Sequence, residues 1–67
     1  MVKKNLLKAK IIEKETNYAE CSTALNVTTS SFYNKVNDRT DFKIKEVTLL
    51  SKFLKLTNEE IINIFLN

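Results

Sequence analysis

The side chains best suited to chemistry in this chain are hydrogen-bonding ones concentrated in its middle. Thr29, Ser30, Tyr33 and Asn34 recur at helical spacing, so a helix over 29–36 presents them together, opposite Phe32 and Val36. They donate and accept hydrogen bonds, but none has a base beside it. The 67 residues contain no His, which excludes histidine acid–base catalysis and Ser–His–Asp chemistry. The single Cys21 excludes an intrachain disulfide, and without His a four-ligand structural zinc site is excluded too. The absence of Gly excludes phosphate-cradling glycine loops. Glu59 and Glu60 read as charges at a helix start rather than a catalytic pair. The expectation is a protein that binds, not an enzyme, with no metal, no cofactor and no small-molecule ligand.

These groups need a scaffold. A composition of 43% hydrophobic and 28% charged residues suits a folded chain, and 67 residues have room for one core, so 1–67 reads as a single domain. With neither Gly nor Pro, tight hairpins are disfavoured and helices favoured, which makes the expected class all-α. Five helices follow from the pattern, over about 2–15, 18–25, 29–36, 44–54 and 58–66. The first is amphipathic, with Leu7, Ala9, Ile11 and Ile12 among lysines. Thr16 or Asn17 caps the second, Thr28 the third, and Thr57 with Glu60 forms a capping box for the fifth. Phe32, Phe42, Ile44, Val47, Leu50 and Phe53 are assigned to the core. Asn26 and the Asn37-Asp38 pair are the expected left-handed turn residues, since Asn and Asp tolerate that conformation best after Gly. No apolar run approaches the roughly 20 residues of a membrane span, and the expected location is cytoplasmic, associated with the nucleoid.

The segment 17–37 is a short helix, a tight turn and a second short helix. The small Ser22 sits where the two helices cross, and Leu25, Val27 and Phe32 fix the angle between them. That is the physical specification of a helix-turn-helix. The chain resembles the small Cro/repressor-type (lambda repressor-like) helix-turn-helix proteins of phages and mobile elements. The resemblance rests on Ser22, Asn26, Val27-Thr28, the run Ser31-Phe32-Tyr33-Asn34-Lys35-Val36-Asn37, Asp41-Phe42, and the tail Leu56-Thr57-Asn58-Glu59-Glu60-Ile61-Ile62 with Phe65. It covers nearly the whole chain. Ser22, Asn26 and Asp38 depart from it, where Ala, Gly and Gly are usual in the family; each is a physically conservative replacement.

The resemblance implies a compact five-helix DNA-binding domain and a transcriptional regulator that lays its third helix in the major groove of a short palindromic operator. It implies base contacts from Thr29, Ser30, Tyr33 and Asn34, with Asn34 pairing bidentately with adenine. Phosphate contacts are expected from Tyr18, Thr28, Lys35, Asn37, Arg39, Lys43 and the helix-one Lys10. Charge agrees: the chain is +3 overall, and residues 1–14 carry five Lys against one Glu. The last helix is apolar nearly all round, so Ile61, Ile62, Ile64, Phe65 and Leu66 are expected to form a homodimer interface, the alternative being that this tail caps the core of a single chain. The competing expectation is a protein-interaction module of the same fold, an antirepressor or assembly partner, that does not bind DNA.

Overall fold

The computed structural model describes residues 2–66. Among them are five α-helices and no strand: α1 (Lys4–Glu13), α2 (Tyr18–Leu25), α3 (Thr29–Val36), α4 (Ile44–Phe53) and α5 (Asn58–Ile61). The last passes directly into a π-helical turn over Ile62–Leu66, where a regular α-helix was expected. No helix of the described residues is long and apolar enough to cross a membrane.

Short polar side chains start the helices. Asn17, not Thr16, caps α2, its Oδ1 accepting from the Glu20 amide at 2.8 Å. Thr28 Oγ1 accepts from the Ser31 amide at 3.0 Å. The Lys43 amide donates to Glu46 Oε1 at 2.8 Å at the head of α4. Thr57 and Glu60 exchange reciprocal bonds of 3.1 and 2.9 Å. Each satisfies amides that a helix start would otherwise leave without partners.

The helix ends share one device. Glu15, Asn26, Asp38 and Lys55 have φ of 56°, 59°, 64° and 54°. In each case the following amide reaches back five residues: Thr16 to the Ile11 carbonyl, Val27 to Ser22, Arg39 to Asn34, and Leu56 to Ser51, at 2.9 to 3.1 Å. These are Schellman closures built without glycine. Asn26 takes the left-handed position expected of it, and of the Asn37-Asp38 pair it is Asp38 that does so, Asn37 having φ −88°. Glu15 and Lys55 carry a Cβ into a region costing roughly 1–2 kcal/mol per ordinary residue.

The core consists of Leu7, Ile11, Cys21, Leu25, Phe32, Val36, Leu50, Leu54 and Ile64. α2 packs against α3 and α4, and α1 against the π-turn, where the Lys3 amide also donates to the Ile64 carbonyl at 2.7 Å. An aromatic chain crosses the molecule: Tyr33 to Tyr18 (6.2 Å between ring centroids), Tyr18 to Phe32 (5.3 Å), Phe32 to Phe42 (6.0 Å) and Phe42 to Phe65 (5.4 Å). Most of its contacts are edge-on, the favoured geometry for ring quadrupoles. Of the residues assigned to the core, Ile44 at 87% and Phe53 at 41% exposure stand outside it, Val47 is half-buried outside the core cluster, Phe42 packs half-buried against it, and Ile12 is exposed as well. The buried stripe of α4 runs through Leu50 and Leu54. At about 100° per residue, Phe53 lies one step off Leu54 and Ile44 about 120° from Leu50.

Candidate nucleic-acid interface

The turn between α2 and α3 closes around Ser22, which is buried. Its hydroxyl donates to the Ala19 carbonyl at 2.7 Å and shares a 3.3 Å hydrogen bond with Thr29 Oγ1. The residue that departs from the usual Ala thus makes a polar tie across the turn. Leu25 and Phe32 are buried on either side, with Val27 packed against them. α3 is thereby held by one face. Phe32 and Val36 are wholly buried, while Thr29, Ser30 and Tyr33 stand exposed on the other face beside a half-buried Asn34. The four side chains expected to act together do share one outward face of one anchored helix.

The flanks of α3 differ from expectation. Tyr18 is half-buried, its ring edge-on to Phe32. Its hydroxyl is enclosed and has no hydrogen-bond partner among the described residues. Burial pushes the phenol pKa above its ordinary value, with Tyr33 and Cys21 adding to the effect. The phosphate contact expected of Tyr18 is not available in this conformation.

Lys35 is corrected more firmly. It is buried, with Nζ 3.2 Å from Glu46 Oε1 and 3.3 Å from the Asp41 carbonyl. Lys35 lies about 60° from Phe32 around α3, on the flank that faces α4, so its aliphatic stem packs inward and its ammonium meets a carboxylate there. Burial works to raise the Glu46 pKa, but the Lys43 amide and the Lys35 ammonium outweigh it and hold the carboxyl below its ordinary value. Lys35 joins α3 to α4 and does not reach the surface.

Lys10 is also committed elsewhere. Its ammonium pairs with Glu60 across the α1–α5 junction and with Glu13 at 3.3 Å. The Lys10 hydrogen bond, followed by the Thr57 amide, brings the Glu60 carboxyl down to about 2, and Glu60 in turn raises Lys10. The helix-one cation beside α3 is instead Lys4, whose Nζ donates to Asn37 Oδ1 at 3.3 Å. Nothing in the spacing of helix-one lysines distinguishes Lys4; only the packing of α1 places it there.

At the C-terminal end of α3, Asn37 Nδ2 donates to the Tyr33 carbonyl at 2.9 Å. The exposed Arg39 reaches back over the outer face of α3. Its Nη1 donates to Asn34 Oδ1 at 3.4 Å, and its guanidinium carbon lies 6.0 Å from the Tyr33 ring centroid. Thr28 and Lys43 are exposed at the heads of α3 and α4.

Of the residues assigned to a dimer surface, Ile64 belongs to the core, at 2% exposure, and Ile61 and Phe65 are half-buried. Ile62 and Leu66 remain exposed. The π-turn directs Ile64 inward and leaves its neighbours at the rim. Cys21 is buried, and burial pushes its thiol up to about 11, which leaves it protonated and unreactive at neutral pH.

Compared with models of protein families, with curated proteins and with solved structures, the chain matches none.

Proposed function

We propose that this chain is a sequence-specific DNA-binding transcriptional regulator of the Cro/repressor kind, which lays α3 in the major groove. The observation that carries the reading is the two-faced α3. Phe32 and Val36 anchor it completely, while Thr29, Ser30, Tyr33 and Asn34 project from its other side across a left-handed Asn26 turn. A helix held out in this way, with small polar side chains and an amide on its free face, suits the donors and acceptors of base edges. Thr28, Asn37, Arg39, Lys43 and Lys4 surround α3 and are the candidate phosphate contacts. For Thr28, Asn37, Lys43 and Lys4 that role is positional and independent of sequence.

The exposed Ile62 and Leu66, with the half-buried Ile61 and Phe65, are the proposed contact between two copies. Such a pair sets two recognition helices about 34 Å apart, one DNA turn, and demands a palindromic site. Sedimentation that finds only monomer at tens of micromolar on the operator removes the dimer from the proposal.

Binding is tested by fluorescence anisotropy on duplexes from the DNA flanking the chain's own gene and on random duplexes. The expected result is specific binding that weakens steeply with salt. Asn34→Ala is expected to lose roughly 1–3 kcal/mol of discrimination at one base pair and little affinity for random DNA. Equal losses on both kinds of DNA overturn the base-reading role. Absence of any salt-dependent binding overturns the function.

A further inference from the structure

We infer that Arg39 sets the base specificity of Asn34, turning a residue that ordinarily reads adenine into part of a guanine reader. The inference rests on the proposed DNA-binding role of α3.

An unconstrained asparagine pairs with adenine because its amide offers one acceptor and one donor in the same plane. Oδ1 accepts from the adenine amino group and Nδ2 donates to N7. In this chain Oδ1 of Asn34 already accepts from Arg39 Nη1, at 3.4 Å. The guanidinium is not there by chance of a long side chain. Its backbone is held beside Asn34 by the Schellman closure of α3, in which the Arg39 amide donates to the Asn34 carbonyl at 2.9 Å and Asp38 takes φ 64°. Its head is steadied by the Tyr33 ring, 6.0 Å from the guanidinium carbon to the ring centroid. Two anchors, one a local backbone hydrogen bond and one aromatic, therefore bring the same cation to the same amide oxygen.

The chemical consequence is a change in what α3 presents. With Oδ1 engaged, the amide is oriented with Nδ2 away from Arg39, and the remaining guanidinium N–H groups stand next to it. The combined edge of Asn34 and Arg39 is rich in donors. In the major groove only guanine offers two adjacent acceptors, N7 and O6; adenine opposes a donor-rich edge with its own amino group. The Arg39–Asn34 unit therefore favours guanine where Asn34 alone favours adenine. Arg39 has five N–H groups, so engaging one leaves others for a base or a phosphate.

The test is selection of bound sequences from a randomised duplex library by the wild-type chain, by Asn34→Ala and by Arg39→Met. The methionine keeps an unbranched apolar side chain over Tyr33 and removes every donor. Because Arg39 is exposed, this variant retains the fold, which circular dichroism verifies. In the wild type, guanine is expected over adenine by roughly tenfold at the position that Asn34→Ala makes indifferent. In Arg39→Met the preference at that position is expected to move to adenine, with the other positions unchanged. Adenine at that position in the wild type, or a guanine preference untouched by Arg39→Met, overturns the inference and leaves the DNA-binding function standing. A library that yields no enriched sequence for the wild type overturns the function itself, and the inference with it.

Discussion

Replacing Lys35 by Met separates a buried cation from a surface contact. The Lys35 and Glu46 side chains are 9% and 10% exposed and 3.2 Å apart. Methionine refills the volume of the lysine stem but takes away the ammonium paired with the Glu46 carboxylate, leaving only the weaker influence of the Lys43 charge. Breaking a buried pair in this way costs about 3–5 kcal/mol. Glu46 keeps its bond from the Lys43 amide and a little contact with water, which lowers the expected loss to about 2–3 kcal/mol. Stability of about 0.05–0.15 kcal/mol per residue gives a chain of this length roughly 3–10 kcal/mol in total, so the loss is a large fraction of it. At about 4–8 °C per kcal/mol, Tm falls by roughly 10–20 °C. The double variant Lys35→Met/Glu46→Gln removes the stranded charge and is expected to recover at least half of the loss. The assay is urea unfolding followed by far-ultraviolet circular dichroism, with DNA titrations over a series of salt concentrations on the double variant. Its salt dependence is expected to equal that of the wild type, whereas Lys43→Met reduces the slope by about 1 as a phosphate contact does. A loss below about 0.5 kcal/mol for Lys35→Met, together with a reduced salt slope in the double variant, shows that Lys35 reaches DNA and refutes the reasoning.

The remaining predictions concern helix ends, acid stability and the turn. Glu15→Gly and Lys55→Gly are each expected to stabilise the fold by about 0.5–1 kcal/mol, the relief of a left-handed Cβ less the entropy glycine adds to the unfolded chain. Destabilisation by both, measured as a fall in the urea midpoint, contradicts the strain at these positions. Lys10 and then the Thr57 amide hold Glu60 at about 2, against an ordinary value of 4.5. As pH falls, the unfolded chain therefore takes up this proton first. The stability Glu60 contributes above pH 4.5 is lost progressively between about pH 4.5 and 2. Glu60→Gln is expected to flatten that part of the Tm–pH profile, and a profile parallel to the wild type rules the linkage out. Ser22→Ala removes the hydroxyl shared with Thr29 at 3.3 Å but leaves Thr29 close to water, so a loss of about 1 kcal/mol or less is expected in the same unfolding assay. A loss of several kcal/mol would mean that the Ser22 hydroxyl bears on the whole crossing of α2 and α3.

The helices that carry the candidate interface were the most legible part of the chain. α2 and α3 occupy the ranges their periodicity indicates, because each is bracketed by strong local chemistry: an Asn or Thr cap in front and a turn behind. The left-handed Asn26 was legible for the same reason. Glu15 and Lys55 were not, since neither residue type favours positive φ and only the packing on both sides of each turn imposes it. The outer face of α3 could be read from its spacing against Phe32 and Val36. The fates of the cations around it could not. Lys4, Lys10 and Lys35 are alike as residues, yet one meets Asn37, one pairs with Glu60, and one is buried against Glu46.

Composition, periodicity and capping thus determined by themselves an all-helical chain, the place of its central turn and the side chains on the free face of α3. Those features depend on local propensity and on a 3.6-residue repeat, which any short segment expresses. Tertiary structure alone decided which charges stay at the surface, that Ile64 enters the core while Ile62 and Leu66 do not, and that Arg39 folds back onto Asn34. The physical reason is the same for all three. A long side chain's partner, and the burial of an apolar residue near a helix end, depend on how helices distant in sequence approach one another, and no local pattern encodes that distance.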